Sequence, residues 1–167
     1  MDLSYILYDT APFSTVDEVD FPLFQVAQGG DATHVKAFTN SRGAGQLPSV
    51  EKFTVKHVEV FPNERLTIAD AGVWFIDGYI SIEVANKEVF VAPLNAVIGG
   101  AQPTGHFTQA AAADLSSLQF NGKGFDFEIP IEIPGGTPYK VTLHQGNVLA
   151  VATQLIVCAL HGTLTTP

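Results

Sequence analysis

Apolar and polar residues alternate with a period of two along most of this chain, which is the signature of strands with one buried face. The longest such run is Phe125, Phe127, Ile129, Ile131 and Ile133, interleaved with Asp126, Glu128, Pro130 and Glu132. It predicts a half-buried antiparallel strand with the five apolar residues on one face. Pro130 has no backbone donor, so the strand is expected at a sheet edge or with a bulge. Ile80, Ile82 and Val84 alternate with Tyr79, Ser81 and Glu83, and a turn at Asn86 before Val89 and Val91 predicts a hairpin over 85–88. Phe53 and Val55 share one phase and Val58 and Val60 the other. A slip of that kind predicts a β-bulge near Lys56-His57. Tyr139, Val141 and Leu143 form another alternating strand, closed by a second tight turn at 144–148. Leu155 to Leu160 is apolar throughout, so both of its faces are expected to be covered.

Further strands are expected at Phe21–Val26, Thr33–Phe38 and Val73–Ile76, with one short helix at most, over Gln109–Leu118. About eight short strands, tight hairpins and a long connection between Leu94 and Gly124 predict an all-β fold. The arrangement expected is a single jelly roll, an antiparallel β-sandwich of about eight strands. Six acids (Asp2, Asp9, Asp17, Glu18, Asp20 and Asp31) precede Lys36, the first basic residue. Residues 1–20 are therefore set apart as an acidic N-terminal segment, ahead of the β-domain expected over 21–167.

Composition narrows the function. The 167 residues are 46% hydrophobic but only 15% charged, with a net charge of −9. Few positive charges argue against sequence-independent nucleic-acid binding, which needs clustered Lys and Arg. Between Val89 and Gly122 the one charged residue is Asp114, and Val141 to Pro167 carries none. Such uncharged stretches suit either packed protein–protein contacts, whose centres are depleted of charge, or the neutral surface of a loop-rich domain. Cys158 is the single cysteine and lies in an apolar run, so it reads as a small core hydrophobe. Met1-Asp2 opens without a basic region or an apolar stretch after it, so neither a signal peptide nor a transmembrane segment is expected.

Site chemistry is sparse. Of the five histidines, His34, His57, His106, His144 and His161, no two form the His-x-His pair of a metal-binding cupin, and Pro103-Thr104-Gly105-His106 matches its second motif only faintly. Each is expected to be a packed or hydrogen-bonded structural residue. Asp17-Glu18-Val19-Asp20 lacks the glycine and terminal Glu of a calcium loop. There is no Gly-x-Ser-x-Gly elbow, and Gly43-Ala44-Gly45 lacks the ending of a P-loop. Glu128 and Glu132 stand roughly 13 Å apart along one strand, too far for a glycosidase pair on their own. Trp74 reads as core, and a Phe-rich aromatic set (12 Phe, 4 Tyr, 1 Trp) is weak support for sugar stacking. No catalytic, cofactor-binding or metal-ligating residue is expected, and the chain reads as a non-enzyme without a cofactor.

The closing segment, Leu149-Ala-Val-Ala-Thr-Gln-Leu-Ile-Val-Cys-Ala-Leu-His161-Gly162-Thr-Leu-Thr-Thr-Pro167, resembles the final strand of small β-barrel coat proteins of tailless icosahedral viruses with an internal membrane. It is similar to the single vertical jelly-roll capsid proteins of Thermus phages and their archaeal-virus relatives. The specific likeness begins at Gly135-Gly136; the remainder agrees in size and strand pattern. The resemblance implies a structural coat protein, made in a host cytoplasm and located in the virion. It would self-associate and co-assemble with other capsid proteins, reach a neighbour through residues 1–20 as an acidic N-terminal arm, and have the viral membrane as a further contact, with no nucleic acid and no small-molecule substrate. The alternative is a carbohydrate- or receptor-binding jelly-roll module, such as a viral spike or lectin-like domain.

Overall fold

The computed structural model describes residues 1–12, 18–32, 34–62, 77–99, 123–146 and 155–167. Among them are eight strands: β1 (Asp2–Pro12), β2 (Val19–Leu23), β3 (Lys52–Pro62), β4 (Tyr79–Val84), β5 (Lys87–Pro93), β6 (Phe125–Pro134), β7 (Tyr139–Gln145) and β8 (Leu155–Thr165). One 3-10 turn, Leu94–Ala96, follows β5. Two antiparallel sheets result, in the orders β1-β8-β3-β6 and β2-β7-β4-β5.

The topology follows from one long ribbon. β1 pairs with β8, β2 with β7, β3 with β6 and β4 with β5, all antiparallel. Rolling that ribbon brings β8 beside β3 and β7 beside β4. This is the eight-stranded jelly roll expected from the pattern. The ribbon is closed by a two-residue turn, Ala85-Asn86, with φ of 53° and 60°. Two successive positive φ values are those of a type I′ turn, whose twist matches that of the flanking strands.

The inward faces meet in one core. Phe53, Val55, Val58 and Val60 of β3 pack with Ile156, Cys158 and Leu160 of β8 and with Ile80, Ile82, Val141 and Leu143 of the opposite sheet. Phe53 and Val55 lie on the same side as Val58 and Val60 because the β3 register shifts between Val55 and His57 against both β6 and β8. The bulge stands where the phase slip placed it. Burying each of these side chains stabilises the fold by roughly 1.5–3 kcal/mol, enough to lock the register. On β8, Ile156 to Leu160 are all buried, on both faces, as their unbroken apolar run predicts.

Several expectations change. β6 is an edge strand, as Pro130 implied, but its face is not wholly inward: Ile129 is 84% exposed. Asp126 pairs with His57 and Ile131 with Val55, so Phe127–Pro130 stand opposite Lys56 alone and loop away from the ladder. Residues 34–38 form a turn, held by Asp31 accepting from the His34 N–H and Val35 O accepting from the Phe38 N–H, instead of a strand. The hairpin expected at 144–148 does not pair β7 with β8, because these strands belong to opposite sheets. Val73–Ile76, Trp74, His106 and the helix expected over Gln109–Leu118 lie outside the described residues.

The N-terminal expectation also needs correction over Asp2–Pro12. This segment pairs with β8 at eleven positions and buries Leu7, Asp9 and Ala11, so it is an integral strand and not an arm. Its acids disguised it. Asp9 faces inward because its carboxylate accepts the Thr10 and Phe24 N–H groups, which offsets its loss of hydration. The outer edge of β1 is also covered. Asn40 accepts the Tyr8 N–H at 2.8 Å and donates to Ile6 O at 2.6 Å, standing in for a neighbouring strand. Among the described residues, no helix is long and apolar enough to cross a membrane.

Candidate functional site

The β3 bulge has a consequence on the outer face of its sheet. With Val58 and Val60 turned inward, His57 and Glu59 point outward from the same strand. His161 on β8 is the register partner of His57, and Asp126 on β6 is its partner on the other side. One row across three strands therefore reads Asp126, His57, His161, with Glu59 one step along. His161 Nε2 lies 2.8 Å from Glu59 Oε1, and His57 Nδ1 lies 2.8 Å from Asp126 Oδ1. The two imidazoles meet edge to face, with centroids 5.1 Å apart.

The cluster is partly sheltered: the side chains of His57 and Glu59 are 20% and 18% exposed, that of His161 34%. Two glycines make room for it. A Cβ on Gly99 would lie 2.1 Å from Glu59 Cβ, and one on Gly124, whose φ is +69°, would lie 2.5 Å from His57 Nε2. Backbone hydrogen bonds hold Gly99 against β3 and Gly124 against the segment after the 3-10 turn. Gly99 N–H donates to Val60 O, and Gly124 N–H donates to Ile98 O. An open recess lined by Asp2, Ser4, Lys56, Gly162 and Thr163 gives solvent access beside His161. One ligand atom from each of His57, Glu59 and His161 lies within 4.8 Å of the others. Two imidazoles and a carboxylate at that spacing can chelate a divalent ion or relay a proton.

The other described histidines are carboxylate-paired too. His34 Nδ1 sits 2.7 Å from Asp31. His144 stands between Glu18 and Asp20, at 3.2 and 2.7 Å, and stacks on Tyr79 at 4.5 Å. Glu18 and Asp20 thus supply partners for an imidazole from β7. Ser41 is buried and hydrogen-bonded to Phe24 O and Gly43 O. Cys158 is fully buried, and burial pushes its thiol well above the ordinary range, so it is inert as a nucleophile or ligand.

Sequence reasoning treated each histidine singly and so missed the grouping. The available signal was His57-x-Glu59 just after the phase slip, since residues two apart on a strand share a face. His161 is 102 residues from Glu59, and no spacing motif links them. Comparison with known proteins finds no family model and no curated protein that matches this chain.

Proposed function

We propose that this chain is a structural coat subunit, a viral capsid protein that assembles through the flanks of its jelly roll and acts without catalysis. The observation that carries the reading is the apolar flank at β5 and β6. These strands end the two sheets on the same side, tied together by Phe90, Phe125 and Phe127, whose rings lie 4.9–5.4 Å apart. That flank exposes Val89 at 44%, Val91 at 55%, Phe125 at 37% and Ile129 at 84%. Edge strands usually carry charges or turn away to block association. β6 carries the exposed acids Asp126, Glu128 and Glu132, but its outward bulge also presents Ile129, which favours contact with a neighbouring subunit standing alongside. The resemblance of the closing strand to vertical jelly-roll coat proteins supports the same reading, in which the virion and its internal membrane are the setting.

Native mass by light scattering, across protein concentration and salt, tests it. Wild-type protein should grow into dimers and larger assemblies, while Val91→Lys combined with Ile129→Lys should remain folded and small. A wild-type chain that stays monomeric throughout, or a variant that assembles equally well, overturns the flank contact. A compact trimer of fixed size that binds glycans in a screen supports the recognition-module alternative instead.

A further inference from the structure

We infer that His57, Glu59 and His161 form a binding site for a divalent first-row transition metal, of which Zn²⁺ fits the donor set best. Three observations converge. The donors are two imidazoles and one carboxylate, a set that zinc takes in three-ligand sites with a fourth position open to water. They come from adjacent strands of a rigid sheet, with His57 and His161 directly paired in register. The third observation concerns a residue outside the three donors: Asp126 Oδ1 engages His57 Nδ1 at 2.8 Å. A carboxylate on the far nitrogen of an imidazole fixes its tautomer and leaves Nε2 to ligate, the usual supporting shell of a metal-bound histidine.

The geometry needs little adjustment. Donors around tetrahedral zinc stand about 3.3 Å apart, given Zn–N and Zn–O distances of about 2.0–2.2 Å. The present donors lie within 4.8 Å of one another, with His161 Nε2 and Glu59 Oε1 already at 2.8 Å. Small rotations about the side-chain bonds close the difference. Gly124 keeps the space beside His57 Nε2 free of a side chain. His144 offers a contrast within the same molecule, because both of its ring nitrogens already face carboxylates. A bound ion would pin β3 to β8 on the outer face, and the inference stands apart from the assembly proposal.

The test is calorimetric titration of the full, untagged chain with Zn²⁺ after chelator treatment. The expected result is one equivalent per chain. His57→Gln, His161→Gln or Glu59→Gln should weaken binding at least tenfold, and Asp126→Asn by about tenfold. His34→Gln and His144→Gln should bind as wild type does. If the ligand variants misfold, wild-type protein is titrated with Co²⁺ and followed by NMR. The His57 and His161 ring resonances should broaden before those of His34 and His144. Absence of zinc binding by wild type overturns the site. So does affinity unchanged in all three ligand variants, or broadening centred on His34 or His144.

Discussion

Asp9 shows how a single residue can carry a charge on the inward face of a strand. It is 3% exposed, and its carboxylate takes the N–H groups of Thr10 and Phe24. Phe24 is itself fully buried with φ at 61°, a left-handed conformation that costs a non-glycine residue roughly 1 kcal/mol. Asp9 on its N–H and Gly45 on its carbonyl hold it there. Burial raises the Asp9 pKa above its ordinary 3.8, and the hydrogen bonds from Phe24 and Thr10 oppose that rise. A carboxyl pKa raised by folding favours the protonated native state. Its stabilisation is complete below the ordinary value and is lost as pH climbs through the folded one. Asp9→Asn stays neutral but loses one acceptor, at a cost of about 1–3 kcal/mol. In urea unfolding, the variant should show its largest deficit near pH 4, and the deficit should shrink toward pH 7. A deficit constant across that range would rule out titration of Asp9 as its cause.

Among the elements, β3 and β6 show what periodicity can and cannot reveal. The bulge between Val55 and His57 was legible because all four apolar residues around it are buried, so the pattern had to slip where the backbone did. Ile129 was not legible. Its alternation with Ile131 and Ile133 is intact, yet it points to solvent because β6 carries surplus residues opposite Lys56. Periodicity records a strand's own faces and is blind to how many residues its partner offers. Deleting Lys56 should be tolerated. It removes the surplus residue, so His57 still meets His161, and Phe53, Val55, Val58 and Val60 fall into unbroken alternation on the buried face. Without the bulge the full sequence would instead turn Val58 and Val60 outward, forfeiting about 3–6 kcal/mol, and press Glu59 into the core. The deletion variant should keep cooperative thermal unfolding by circular dichroism, and Lys56→Ala should change stability by no more than about 0.5 kcal/mol. Loss of cooperative melting in the deletion variant would show that Lys56 does more than absorb the change of phase.

For the whole molecule, the jelly roll turns distant segments into neighbours, and the two ends of the chain are an example. β1 and β8 pair along their full length, with Asp2 opposite Thr165 and Pro12 opposite Leu155. Removing residues 1–12 would strip that cover from β8, whose Ile156 to Leu160 are buried on both faces. The truncated chain should then aggregate or lose its β-signal in far-ultraviolet circular dichroism. A folded, monodisperse truncation product would mean that β1 is dispensable, as an arm would be.

Local chemistry was enough for much of this architecture. Strand period, the slip after Val55, the proline on β6 and the turn at Asn86 are properties of neighbouring residues, and together they specify an antiparallel jelly roll. What needed tertiary structure was everything that depends on a partner far along the chain. Asp2 and Asp9 make β1 read as an acidic arm until the N–H of Phe24 is known to meet the Asp9 carboxylate. His57 and Glu59 read as two polar residues on a strand until β8 brings His161 against them. Side-chain direction is written into the sequence by a two-residue repeat. The chemistry a side chain can perform is decided by cross-strand neighbours, and those are assigned only when the ribbon rolls up.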